Sequence, residues 1–153
     1  YGRRTPNRQE KPVFELYFLN SLLITLAVLV HYEILRLLSG LIPRLNITHR
    51  LRIVVGVYGT LVAHVAEIWL FGVAYYYMVQ VPGFGGFQGN YSGTFLDCVY
   101  FSFTSYTSLG FGDIEPWGDL RFTAGLEALV GLVLIGWTAS FLYVQMSRFW
   151  NEP

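Results

Sequence analysis

Three apolar stretches, each longer than a lipid bilayer requires, constrain this chain more than any other feature. They run from about Val13 to Ile42, from about Leu51 to Val81 and from about Leu120 to Phe149. A helix needs about 20 apolar residues to cross the hydrocarbon core, and every stretch exceeds that length. Composition agrees: 54% of the residues are hydrophobic, 18% aromatic and only 13% charged, against about a quarter charged in an ordinary soluble domain. The chain therefore reads as an all-α membrane protein with three transmembrane helices, over 13–43, 51–81 and 120–149. Pro43 and the stretch from Arg44 to Arg52 separate the first two. Residues 1–12 form a polar, basic N-terminal arm. No small-residue cleavage site follows the first apolar stretch, so it is read as a retained span rather than a signal peptide. The chain opens on Tyr1 rather than methionine, which is read as loss of residues upstream.

The interval between the second and third stretches carries the chemistry. Residues 82–93 (Pro-Gly-Phe-Gly-Gly-Phe-Gln-Gly-Asn-Tyr-Ser-Gly) read as a glycine-rich loop. The segment 94–107 is aromatic and apolar but too short to span, so it reads as a re-entrant helix. Thr94 and Asp97 at its start form a weak capping-box pattern. Directly after it comes Thr107-Ser108-Leu109-Gly110-Phe111-Gly112-Asp113. An extended strand points successive carbonyls to opposite sides. Residues near left-handed dihedrals turn them to one side, and glycine reaches those dihedrals without steric cost. A run of glycine, one residue, glycine can thus aim several backbone oxygens at one axis and replace the water around a dehydrated cation. Gly-Phe-Gly-Asp by itself is common in turns; the hydrophobic hairpin around it gives it weight.

Ser108-Leu109-Gly110-Phe111-Gly112, followed by Asp113, resembles the selectivity filter of potassium channels, Thr-Val-Gly-Tyr-Gly followed by Asp. The segment from Leu51 to Arg148 resembles the two-span pore module of that family. The whole chain resembles small bacterial ion-channel-like membrane proteins with one extra helix before the pore hairpin, through His64-Val65-Ala66-Glu67 and Glu127-Ala128-Leu129-Val130-Gly131. The resemblance implies an outer helix over 51–81, a pore helix over 94–107, a filter loop over 108–112 and an inner helix over 120–149. It implies K+ as the permeant metal ion, held by Ser108, Leu109, Gly110 and Phe111, with Thr107 and Gly112 completing the filter. No other cofactor is implied. Leu109 and Phe111 would point away from the axis and wedge the filter against the protein. Asp113 and Glu115 would stand at the pore mouth, with Asp119 nearby, where an acidic ring concentrates cations.

One filter strand cannot surround an ion, so a homotetramer is implied, in a lipid bilayer, as a multi-pass protein of a bacterial inner membrane. The outside entry of the re-entrant loop then puts Arg44, His49, Arg50, Arg52 and Arg148 inside, as the positive-inside rule prefers. Arg3, Arg4, Arg8 and Lys11 would lie outside, against that rule; the length of the first stretch still favours a true span. The filter departs from the family in having Ser, Leu and Phe where Thr, Val and Tyr are usual. A Ser-Val-Gly-Phe-Gly filter occurs in the ether-à-go-go-related potassium channels, so the pattern is compatible with potassium preference, although the lost tyrosine hydroxyl implies a less braced filter. A weakly selective cation channel and a non-conducting scaffold subunit are the alternatives.

Ionisable groups inside spans are costly and default to functional hypotheses. His64 and Glu67 lie one turn apart in the second stretch, facing the pore helix near Thr104 or Ser105 on this reading. Glu127 lies in the outer third of the third stretch, behind the filter. These three are candidates for gating or pH sensing, weighed against a packing role. Two ligands on one turn are too few for a zinc site. His31 is placed to meet the second span, and Glu33 and Arg36 to pair with each other. Gly131 and Gly136 would let the inner helix bend or pack closely. Tyr75, Tyr76, Tyr77, Trp117 and Trp150 read as interfacial anchors. Net charge is zero, which argues against a nucleic-acid partner. The lone Cys98 has no metal or redox spacing. No span repeats arginine at every third position, so no voltage sensor is expected. Few residues follow the third stretch, so no ligand-binding domain is expected in this chain, and any regulatory partner is unknown. Ser102, Ser105 and Ser108 have no histidine at a suggestive spacing, and nothing reads as an enzyme.

Overall fold

A computed structural model describes residues 13–150. The N-terminal arm over 1–12, with Arg3, Arg4, Arg8 and Lys11, lies outside the described residues, as do the side chains of His49, Arg148 and Trp150. Helix α1 spans Val13–Leu41 and runs into a 3-10 turn at Ile42–Arg44 that carries Pro43. Helix α2 spans His49–Gln80, α3 spans Phe95–Tyr106 and α4 spans Leu120–Trp150. Three of the helices are long and apolar enough to cross a membrane: Phe14–Arg44, Arg50–Gln80 and Leu120–Ser147. The protein is thus a multi-pass, all-α membrane protein in class, with the short helix α3 between the second and third spans.

Helix α3 is held at both ends by its own sequence. The Thr94 hydroxyl accepts from the Asp97 amide at 3.2 Å, and the Asp97 carboxylate accepts from the Thr94 and Ser92 amides at 3.1 and 2.9 Å. Slight desolvation raises the Asp97 pKa, but these bonds to the charged form outweigh it and hold the carboxyl below its usual value. At the other end the Thr107 amide returns to Phe103 O at 3.3 Å.

The glycine-rich stretch departs from its reading as a loop. Within it β1, Gly85–Gly89, pairs antiparallel with β2, Ile114–Gly118, in the register Gly85↔Gly118 to Gly89↔Ile114. The physical reason is close backbone approach. Gly85 and Gly118 both have positive φ, +110° and +69°, and any side chain on Gly118 would meet Gly85 Cα at 2.8 Å. The pairing ties the end of α2 to the exit of the loop that follows α3. Asn90 N donates to Asp113 O at 2.7 Å, and Asp119 N donates to Phe84 O at 2.7 Å.

Beneath this strand pair the main core gathers Leu23 and Ala27 of α1, Phe71, Tyr75 and Met78 of α2, Cys98 and Phe101 of α3, Ile114 of β2, and Leu120 and Leu134 of α4. Two glycines allow helices to approach: a side chain on Gly59 would collide with Leu38 of α1, and one on Gly72 would meet Val99 of α3 at 2.8 Å. Helix α1 therefore packs lengthwise on α2 and α4, from the Tyr17–Phe122 edge contact to the Gln145–Ser39 side-chain bond.

Candidate functional site: the loop after the re-entrant helix and its buried supports

Backbone handedness alternates along the loop after α3. Thr107 has φ −82°. Ser108, Gly110 and Gly112 have φ of +57°, +52° and +75°, while Leu109 and Phe111 between them do not enter the positive region. Alternation of this kind aligns successive peptide dipoles instead of opposing them. Glycine supplies two of the three left-handed positions freely. Ser108 is the one described residue other than glycine at positive φ, a feature that residue type alone did not reveal. The loop is hung from α3 by its own backbone: Ser108 N donates to Ser105 O at 2.9 Å and Gly110 N donates to Thr104 O at 3.0 Å. Leu109 and Phe111 are 59% and 64% exposed. Within one chain most of both side chains is uncovered, so the chain's own core supplies little of the bracing expected of them.

Past the loop, Asp113 is fixed rather than free. Tyr100 of α3 donates its hydroxyl to Asp113 Oδ2 at 2.9 Å. That bond and the carboxylate's charge raise the Tyr100 pKa above its ordinary value. Glu115 accepts from Gln88 Nε2 across the β1–β2 pair at 3.0 Å.

Behind the loop sit two buried polar clusters. The first joins α2, α3 and α4. Tyr75 donates to Glu127 Oε2 at 2.6 Å, Ser102 Oγ lies 2.5 Å from Glu127 Oε1, and Ser102 also reaches Ile68 O at 2.8 Å. Ser102 has one hydroxyl proton and two oxygens facing it. A Glu127 that carries a proton satisfies every contact: Tyr75 donates to it, it donates to Ser102, and Ser102 donates to the Ile68 carbonyl. Tyr75 is thus fully buried, and its reading as an interfacial anchor is corrected. Its position near the helix end suggested the membrane surface, whereas its hydroxyl turns inward to an acid. Tyr76, Tyr77 and Trp117 remain on the surface, at 39%, 57% and 53% exposure.

The second cluster joins all four helices. His31 Nδ1 lies 2.8 Å from Glu67 Oε1, and His64 Nδ1 lies 3.3 Å from Glu67 Oε2. Tyr106, the last residue of α3, donates to Glu67 Oε2 and lies 2.9 Å from His64 Nδ1. Thr138 Oγ1 of α4 stands 3.3 Å from His31 Nε2 and 3.0 Å from His64 Nε2. The α3 partner of His64 and Glu67 is therefore Tyr106, not Thr104 or Ser105. Those two turn elsewhere: Thr104 donates to Phe101 O at 2.9 Å and Ser105 to Ala124 O at 3.1 Å. Glu33 and Arg36 pair on the exposed face of α1 at 3.2 Å.

Gly131 and Gly136 part company. A side chain on Gly131 would meet the Tyr106 carbonyl carbon at 2.9 Å and its oxygen closer still, whereas Gly136 has nothing within 4 Å. Gly131 lets α4 touch the backbone of α3 two residues before Ser108.

Residues 63–148, more than half of the chain, match the family described as ion channel. The chain belongs to this ion channel family. Its matched region begins one residue before His64 and contains α3, the loop and most of α4. The chain is also 38% identical over 56 residues to the potassium channel protein kcv of Paramecium bursaria Chlorella virus 1, an alignment covering 32% of this chain and 60% of that protein. No solved structure matches it. A small channel pore module, rather than an enzyme, is the class to which these likenesses assign it.

Proposed function

We propose that this chain is the pore subunit of a potassium-selective channel, four copies of which line one axis with the carbonyls of Ser108, Leu109, Gly110, Phe111 and Gly112 and the hydroxyl side of Thr107 and Ser108. The observation that carries this reading is the alternation of backbone handedness at 108, 110 and 112. Such alternation is the backbone pattern that allows consecutive carbonyl oxygens to turn to one side, which is what a dehydrated cation needs in place of its water. The likeness to a protein titled a potassium channel supports potassium as the ion.

Homotetramer formation is supported by the incompleteness of one strand around an ion and by the exposure of Leu109 and Phe111. In the assembly a neighbouring copy would cover those two side chains and supply the bracing absent within one chain. Asp113 and Glu115 would then ring the outer mouth. Potassium is the permeant ion, and the mechanism calls for no other cofactor. The resemblance to bacterial ion-channel-like proteins supports a bacterial inner membrane as its location.

Cation flux into liposomes containing the purified protein tests the proposal. Potassium flux well above sodium flux, blocked by barium and lost in Gly110→Ala, is expected, because a side chain at φ +52° is strained by about 1–2 kcal/mol in each copy. Equal fluxes would mean a filter that does not select. Absence of any flux at neutral and acidic pH, with Gly110→Ala assembling normally, would favour a scaffold.

A further inference from the structure

We propose that His31, His64 and Glu67 form a site for a transition-metal dication of the zinc type, buried where α1, α2 and α4 meet the end of α3. The second span alone offers two ligands, too few for such a site; the fold supplies the third from α1. One ligand atom from each of the three residues lies within 4.8 Å of the others. Two imidazoles and one carboxylate are a donor set that zinc takes in proteins.

The distances approach those the ion needs, with a different Glu67 oxygen facing each imidazole. Metal–ligand bonds of about 2.0–2.1 Å place tetrahedral ligand atoms about 3.3–3.4 Å apart. His64 Nδ1 and Glu67 Oε2 already stand 3.3 Å apart. His31 Nδ1 and Glu67 Oε1, at 2.8 Å, are at hydrogen-bond separation and must open by about half an ångström. The Tyr106 hydroxyl, 2.9 Å from His64 Nδ1 and hydrogen-bonded to Glu67 Oε2, is the neighbouring oxygen that would complete the set, directly or through a water, by giving up that bond.

Thr138 makes the cluster more than a chance gathering of polar groups. Both histidines must present an unprotonated Nδ1 to a metal, so both must carry the proton on Nε2. Thr138 Oγ1 faces both Nε2 atoms, at 3.3 and 3.0 Å. A hydroxyl oxygen has two lone pairs and can accept from both rings at once. One side chain of α4 can therefore accept from a histidine on α1 and from another on α2 once a metal holds both Nδ1 atoms. Metal entry moves the protons that His31 and His64 carry on Nδ1, facing Glu67 and Tyr106, to Nε2 and releases none from neutral imidazoles. His64, with 14% of its side chain accessible, gives the approach.

The test uses the full chain in lipid nanodiscs, stripped with chelator, equilibrated with zinc and analysed for bound metal. Cobalt serves as a second probe, because its absorption reports tetrahedral ligation. About one zinc per chain is expected, with tetrahedral cobalt bands. His31→Gln and Glu67→Gln should lose both signals. Thr138→Val keeps all three ligands and should weaken zinc binding about 10–100-fold, which keeps the proposal testable if either ligand variant fails to assemble. Undiminished affinity in Thr138→Val, retention of zinc by His31→Gln, or no zinc on the wild type at micromolar free metal overturns it. Bound metal is read without conduction, so a non-selective or silent filter would not mimic a negative result here.

Discussion

Gly131→Ala should disturb the proposed filter loop from behind, and Gly136→Ala should not. At Gly131 the added methyl would lie 2.9 Å from the carbonyl carbon of Tyr106, nearer still to its oxygen, and 3.1 Å from the Tyr106 ring carbon Cγ, whereas ordinary contacts of this kind begin at 3.4 Å. The obstruction is backbone, so no rotamer change relieves it. Either α4 or the end of α3 must move by at least about half an ångström, at a cost of about 1–3 kcal/mol per chain for overpacking. Tyr106 lies two residues before Ser108, and its hydroxyl holds Glu67. The displacement is therefore delivered to the loop and to the second buried cluster together. At Gly136 a methyl meets nothing within 4 Å, and alanine in a helix interior gains about 0.5–1 kcal/mol over glycine. The assay is a paired one: thermal unfolding of both variants in the same detergent, and potassium and sodium flux from liposomes. Gly131→Ala should lower the midpoint and the potassium-to-sodium ratio, while Gly136→Ala should match or exceed wild-type stability. If Gly131→Ala keeps wild-type selectivity and stability, close packing is not the function of this glycine. Greater damage from Gly136→Ala would point to bending, or to a contact between copies at that face.

Three further outcomes follow from the contacts around the loop. Glu127→Gln should retain stability and flux, because an amide can accept from Tyr75 and donate to Ser102 as the protonated acid does. Glu127→Ala should lose about 1–3 kcal/mol, since it orphans the buried Tyr75 hydroxyl; equal unfolding midpoints for the two variants would refute the shared-proton arrangement. Tyr100→Phe removes the bond to Asp113 and should shorten potassium currents through a looser filter exit, read in single-channel open times. In the wild type the raised Tyr100 pKa means that this bond is fully present below pH 10.0 and is lost as pH rises through the higher folded value; an alkaline loss of open time that persists in Tyr100→Phe would assign the effect elsewhere. Thr94→Ala should destabilise the start of α3 by about 0.5–2 kcal/mol, visible as faster amide exchange there. The Asp97 half of the same cap contributes above the ordinary carboxylate pKa and is lost as pH falls through its lowered value.

What the sequence disclosed and what it withheld divide along one physical line. The spans were legible because apolar length is a local property, and the loop because its chemistry lies in consecutive backbone atoms, where glycine at Gly110 and Gly112 is itself the signal. The β1–β2 pair was hidden because Gly85, Gly86 and Gly89 carry no side chains to alternate, so a strand made of them looks like a loop. The buried supports were hidden for a different reason. Their partners stand far apart in the chain: 36 residues separate His31 from Glu67, 52 separate Tyr75 from Glu127, and 107 separate His31 from Thr138. Each half looks unremarkable alone, a tyrosine near a helix end or a threonine in an apolar span. Yet a buried ionisable group must find partners to persist in a membrane, so His31, His64, Glu67 and Glu127 announced four demands that had to be met somewhere. All four are met at residues that touch α3 or its last turn. The polar groups that the spans carry therefore converge on α3, from which the proposed filter loop hangs, and α1, through His31, is joined to that same point rather than merely packed beside the other helices.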